Sequence, residues 1–180
     1  MFIGLLLYLY IYKSEINMKT QIRFGTFETN SSSTHAICIS KSSISPVDGL
    51  QFEHGEFGWQ EKEYADAQTK LSYWYTALIN YGKNIEEYTQ QAKDLLIAAG
   101  CEDLKFNDLK VDENGWFDSG YIDHGYDLGN WANKCIDDGS FLYFVLNPFS
   151  TLVLGNDNSE RDIYEMIDES NYEEVIYKGN

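Results

Sequence analysis

Apolar positions repeat in two distinct ways along this chain, and each way predicts an element. Between Gln60 and Tyr81 the residues Tyr64, Ala67, Leu71, Trp74 and Leu78 recur at intervals of three and four, the spacing of one helix face. Gly82 stands where a helix C-cap glycine belongs. Asn84 then caps a second helix, with Glu87 three residues on, and Ile85, Tyr88, Ala92, Leu95 and Ala99 form its apolar face. The short link between them predicts a helical hairpin. A shorter helix over Asp127–Asp138 buries Leu128, Trp131, Cys135 and Ile136, and another lies near Ser159–Glu169 with Ser159 as N-cap. Alternation marks strands at Gln21–Phe27, Ala36–Ser40, Leu104–Val111 and Glu173–Tyr177. Phe141–Leu146 is continuously apolar and predicts a central strand, paired with Thr151–Leu154 across the turn Asn147-Pro148-Phe149-Ser150. The pattern predicts an α+β fold: a mainly antiparallel sheet with the helical hairpin and two shorter helices on one face.

The first residues stand outside this pattern. Phe2–Tyr12 is apolar over 11 residues, about half of the ~20 a membrane-spanning helix needs. It lacks the basic flank and the small-x-small site of a secretory signal. Met18-Lys19-Thr20 reads as an ordinary bacterial start, so residues 1–17 are expected to be a mis-assigned start or a short apolar tail. Residues 18–180 are then a single α+β domain with no stable membrane span.

Composition narrows the function. Of 180 residues, 43% are hydrophobic and 16% aromatic, enough to build a core. The net charge is -16, from 13 basic and 29 acidic side chains. It is uneven: residues 1–47 carry four basic and two acidic side chains, and the remainder carries nine and 27. Such a body repels nucleic acid, which argues against direct nucleic-acid binding, and speeds encounter with basic partners. Cys38, Cys101 and Cys135 are odd in number and widely spaced, which fits reduced thiols in a cytoplasmic protein. The nucleotide-binding, hydrolase and zinc-protease signatures G-x-x-x-x-G-K-S/T, G-x-G-x-x-G, G-x-S-x-G and H-E-x-x-H are absent.

Three polar segments hold the candidate chemistry. Asn30, Ser31, Ser32, Ser33, Thr34 and His35 are consecutive and are expected to form a polar connection between two strands. Hydroxyls and backbone N–H groups can cradle a phosphate there, with His35 moving a proton. In Gly120–Gly125 (GYIDHG), Asp123 beside His124 offers a general base with an orienting carboxylate, or half a metal site. In Gly155–Asn158 (GNDN), Asn156 and Asn158 would bind an anion before a helix and Asp157 could ligate a divalent metal. Each segment also has a plainer reading as a turn whose side chains satisfy their own backbone. His54 reads as a surface residue, and Trp59, Trp74, Trp116 and Trp131 as core.

Gln21–Ile39 (QIRFGTFETNSSSTHAICI) resembles the opening of a family of small, mostly uncharacterised proteins of phages and low-GC Gram-positive bacteria, which share F-E-T-N-S-S-S-T-H-S/A after a first strand. The segments GYIDHG and GNDN are also similar to that family's. The resemblance is tight over about twenty residues and patchy elsewhere. It implies a phage or mobile-element protein that starts at Met18, and it brings no activity with it.

Two functions therefore stand. In the first, the three segments converge at one end of the sheet as a phosphate, nucleotide or metal site, with His35, His124 and Asp123 catalytic. In the second, the chain is an acidic binding protein without chemistry. It would inhibit a basic host protein, such as a nuclease or defence component, by imitating nucleic acid, through carboxylates such as Glu86, Glu165, Asp168, Glu169 and Glu173.

Overall fold

The computed structural model describes residues 33–107, 120–156 and 162–179. Its centre is an antiparallel sheet of β1 (Ser33–Ile39), β4 (Lys62–Tyr64), β7 (Thr151–Asn156) and β8 (Glu174–Gly179), in the order β4-β7-β1-β8. Two small parallel pairs accompany it: β2 (Gln51–Phe52) with β5 (Lys105–Phe106), and β3 (Glu56–Phe57) with β6 (Tyr121–Ile122). The helices are α1 (Ala67–Tyr81), α2 (Ile85–Ala98), α3 (Leu128–Asp137), α4 (Ser140–Leu146) and α5 (Ile163–Met166). The expected α+β class and antiparallel sheet hold, and no helix among the described residues is long and apolar enough to cross a membrane. The expected strand Gln21–Phe27 lies outside the described residues, as do residues 1–17.

β1 is an interior strand of the sheet, and its side chains are covered on both faces. Ile37 and Ile39 join Leu152 and Leu154 in a core shared with α1, α3 and α4. Ala36 and Cys38 face the other way, against Val153 and Ile163 of α5, with Val175 and Tyr177 packed at their side. Helices thus cover both faces, where one covered face was expected, because both sides of β1 are apolar.

α1 is the middle of the larger core, and its residues from Lys70 to Ile79 are all buried. It begins at Ala67 rather than near Gln60, because the Asp66 side chain caps it by accepting from Thr69 N at 2.8 Å. Lys62–Tyr64, read as the first helical turn, pairs instead with β7. The Trp74 indole donates to the Ala132 carbonyl of α3 at 2.9 Å and stacks edge-on against Phe141 of α4, 4.7 Å between centroids. The second helix forms as expected, although Asn84 adopts a left-handed backbone (φ 49°) and makes no side-chain cap.

The largest departure is α4. Its sequence SFLYFVL reads as a strand but is helical. A run with no polar position carries no periodicity, so strand and buried helix look alike along the chain. The polar loop that follows decides the matter. Lys70, fully buried on α1, donates from Nζ to the carbonyls of Asn147 (2.7 Å) and Ser150 (2.8 Å). That places a cation at the C-terminal end of α4, where the helix dipole favours it. The Asn147 amide donates in turn to the Ser40 carbonyl at 2.6 Å, and the Ser40 N–H donates to Ser150 Oγ at 2.9 Å. β7 then pairs with β1 rather than with residues 141–146.

Candidate functional site

Ser33, Thr34 and His35 were expected in a connection and are instead the first residues of β1. β7 pairs with this stretch on one side from Ser33 and β8 on the other from Thr34, so its backbone is committed to the sheet. Strand alternation then sends Ser33 and His35 into the larger core, where both are fully buried.

Two buried polar side chains need partners, and one atom supplies both. The carbonyl oxygen of Asp123 lies 3.0 Å from Ser33 Oγ and 2.8 Å from His35 Nε2. A carbonyl only accepts, so the Ser33 hydroxyl donates and His35 carries its proton on Nε2. Ser33 Oγ and His35 Nε2 are themselves 3.2 Å apart. Burial lowers the His35 pKa, against a smaller raising effect from the bond to the Asp123 carbonyl and from its carboxylate. His35 is therefore a neutral imidazole at pH 7.

The segment that presents Asp123 is held along its length. Asn80 of α1 donates to the Gly120 carbonyl at 3.2 Å, and Tyr81 Oη donates to the Ile122 carbonyl at 3.1 Å. Asp123 N donates to the Phe57 carbonyl at 2.8 Å, which continues the β3–β6 pairing. Gly120 (φ 92°), just before β6, and His124 (φ 54°), just after it, take left-handed backbone, and the turn at His124 leads the chain toward α3. His124 Nε2 stands 4.0 Å from Asp123 Oδ2, too long for a hydrogen bond, with the two side chains 37% and 25% exposed.

The third segment reaches the same end of the sheet. Ser33 sits opposite Asn156, and Thr34 opposite Gly155. The Asn156 amide reaches the Trp59 carbonyl at 3.4 Å. Trp59 is exposed rather than core, whereas Trp74 and Trp131 are buried. His54, expected at the surface, is partly buried with Nε2 3.0 Å from Asn80 Oδ1. Asn30, Ser31, Ser32, Asp157, Asn158 and Trp116 lie outside the described residues. Among the described residues no group of three His, Cys, Asp or Glu side chains is placed to hold a metal ion.

One end of the sheet thus brings together Ser33, His35, Asp123, His124 and Asn156. Two buried residues were missed from the sequence, one beside this site and one at the other end of β1. Tyr73 of α1 lies with its ring centroid 5.9 Å from His35 and 5.9 Å from Trp131 of α3. Its position on a helix buried on all sides hid it among ordinary core aromatics. Lys70 was also missed, though a signal existed: a lysine between Ala67, Leu71 and Trp74 lies on the apolar stripe itself. The chain matches no protein-family model, no curated protein and no solved structure.

Proposed function

We propose that this protein is a binding protein without chemistry, and that its partner is a basic protein. The observation that carries this reading is on the far face of the sheet. There Tyr164 of α5 and Tyr177 of β8 pack ring to ring, 4.5 Å between centroids, and Tyr164 is 60% exposed. Their neighbours are acidic: residues 162–179 hold six carboxylates and one lysine. Glu169 Oε1 accepts from Tyr177 Oη at 2.8 Å, and Glu165 and Asp168 are exposed beside it. An exposed tyrosine face next to unneutralised carboxylates suits an arginine or lysine side chain by cation–π contact and charge. Among the described residues only Lys134 of the lysines lies within ion-pair distance of carboxylates, Asp138 at 3.7 Å and Glu174 at 3.9 Å. The excess charge is therefore left to act on a partner, and a basic host target of a phage or mobile-element protein fits it. Ser33 and His35, the most distinctive motif residues, have their donors turned inward onto Asp123.

The test is capture of basic proteins from a bacterial lysate on the immobilised chain, eluted by a salt gradient. The reading expects a specific protein that elutes at moderate salt and is lost with the double variant Tyr164→Ala/Glu165→Lys. Elution profiles identical for the wild type and this variant would refute it.

A second reading has its own support in the meeting of the three motif segments at one sheet end. It takes a phosphate-bearing ligand or divalent metal at the outer rim, through Thr34, His124 and Asn156. A thermal-shift screen against nucleotides and divalent metals separates the two. A shift abolished by both His124→Ala and Asn156→Ala supports the rim site.

A further inference from the structure

Among the described strands, the sheet ends on β8. In the order β4-β7-β1-β8 this strand pairs on one side, with β1, from Thr34↔Gly179 to Ile39↔Glu174. An edge strand holds out backbone N–H and C=O groups that can pair with a further chain, and short length, proline or charge usually blunts it. The opposite edge is blunted in this way: β4 has three residues, two of them exposed. β8 runs for six residues (EVIYKG) without proline. Its middle, Val175-Ile176-Tyr177, is only half-buried.

The two faces of β8 are fixed by its partner. Ile176 lies opposite Ile37 and packs on the larger core, so Glu174 and Lys178 share that face. Val175 and Tyr177 pack on the other face with Ala36 and Cys38. Tyr177 is held there by its hydroxyl, which donates to Glu169 Oε1 at 2.8 Å. Glu174 and Lys178 both remain partly exposed.

The sequence of β8 is complementary to itself. Outward N–H and C=O groups fall at every second residue of an edge strand. A strand that pairs antiparallel with its own copy must therefore set outward residues opposite outward residues. Its twofold axis passes through a residue, not between two. With the axis at Ile176, Glu174 meets Lys178 at both ends, Val175 meets Tyr177 at both ends, and Ile176 meets itself. Opposed side chains then stand about 5 Å apart at Cβ, and opposite charges and aromatic–β-branched pairs both favour the contact. An axis at Val175 sets Glu174 opposite Ile176, and an axis at Tyr177 sets Ile176 opposite Lys178, so neither matches the charges. An edge lysine ordinarily discourages an added strand. In the register centred on Ile176, Lys178 meets a carboxylate instead.

We propose that β8 is the interface of a symmetric dimer, in which it pairs antiparallel with β8 of a second copy about an axis at Ile176. Two four-stranded sheets join into one. The dimer goes beyond the capture of a basic partner and does not depend on it. It sets the Tyr164–Tyr177 pairs of both copies on one continuous sheet face. Each copy carries a net charge of -16, so the copies repel at long range and the dimer is weak and concentration-dependent.

The test is sedimentation equilibrium of the full chain over a range of concentrations, at about 0.15 M salt, where repulsion beyond ~8 Å is screened. It compares the wild type with Lys178→Glu, with the charge swap Glu174→Lys/Lys178→Glu, and with Lys83→Glu. The last makes the same charge change at an exposed position on the link between α1 and α2. The wild type and Lys83→Glu should dimerise with equal affinity. Lys178→Glu opposes carboxylates at both ends of the pair and should dimerise at least about tenfold more weakly. The charge swap should recover most of the loss, whether or not Lys178→Glu alone folds. A wild type that stays monomeric at every concentration overturns the proposal and leaves the edge to another strand. Dimerisation untouched by Lys178→Glu overturns it, since the contact then lies elsewhere. An equal loss in Lys83→Glu overturns it in favour of net charge alone, and a charge swap that recovers nothing overturns the register.

Discussion

His35 Nε2 donates to the carbonyl oxygen of Asp123 at 2.8 Å, across 88 positions of sequence. This one bond ties the centre of the sheet to the loop that leads into α3. Ser33 shares the acceptor, so the two polar residues at the start of β1 act on one point.

Removing the bond should cost stability in a pH-dependent way. His35→Phe keeps a ring of similar shape and deletes the donor, at about 1–3 kcal/mol. Burial lowers the His35 pKa from the ordinary 6.5, so below that value the unfolded chain takes up a proton that the folded one refuses. The unfolded state then binds more protons, and stability falls as the pH drops from 6.5 toward the lowered folded value, below which the loss is complete. Urea unfolding at pH 7.5 and pH 5.5 should show this fall in the wild type and a smaller one in His35→Phe.

The shared acceptor predicts coupling between Ser33 and His35. Ser33→Ala leaves Asp123 bonded to His35, and His35→Phe leaves it bonded to Ser33. The double variant strips the carbonyl of both donors, so its cost should exceed the sum of the singles by about 1 kcal/mol. A double-mutant cycle by chemical denaturation measures the excess, and simple additivity would count against a shared role.

Lys70 predicts the opposite end of the pH scale. Burial lowers its pKa from 10.5 to about 8, with Asp66 opposing. Between these values the unfolded chain is protonated where the folded one is not, so rising pH stabilises the fold through this residue. Below about 8 both states are charged and the penalty is constant. The stability difference between wild type and Lys70→Met should therefore move in favour of the wild type by about 3 kcal/mol from pH 8 to pH 10.5. Taking the difference cancels the cysteines and tyrosines, which titrate in the same range in both proteins.

Two glycines should respond unequally to alanine. A Cβ on Gly129 would come within 1.9 Å of the Tyr81 carbonyl oxygen, where α3 meets the end of α1. Overpacking against backbone costs about 1–3 kcal/mol or more, and Gly129→Ala should reach that level. Gly139 has φ +77° and open space around its Cβ position, so Gly139→Ala carries only the left-handed backbone cost of about 1 kcal/mol. Thermal denaturation ranks the pair.

The thiols give a check that needs no mutation. Cys38, Cys101 and Cys135 are free and buried. Burial pushes the Cys38 thiol up to about 11, and that of Cys135 higher still. A thiol reagent at pH 8 should label none of the three in the native chain and all of them in denaturant.

The sequence by itself determined the local pieces whose pattern is periodic. The helices over Ala67–Tyr81, Ile85–Ala98 and Leu128–Asp137 were legible because one apolar face repeats at helical spacing. The return strand at Thr151 and the last strand at Glu174 were legible from short β-rich runs bounded by turn residues. The acidic body was legible by counting. Where the pattern is uniform the chain is silent: SFLYFVL has no polar position after its serine, and its C-terminal end is met by Lys70, which comes from α1 onto the Asn147 and Ser150 carbonyls. Where the pattern is polar the chain misled. Ser33-Thr34-His35 looks like a loop because polar side chains usually seek water. Its place in a central strand depends on two strands at its sides and on the Asp123 carbonyl, all distant in sequence. The same holds for the group around Tyr73. His35, Tyr73 and Trp131 come from three different elements and meet there only after the fold has closed, and contact is a property of neighbours in space rather than in sequence.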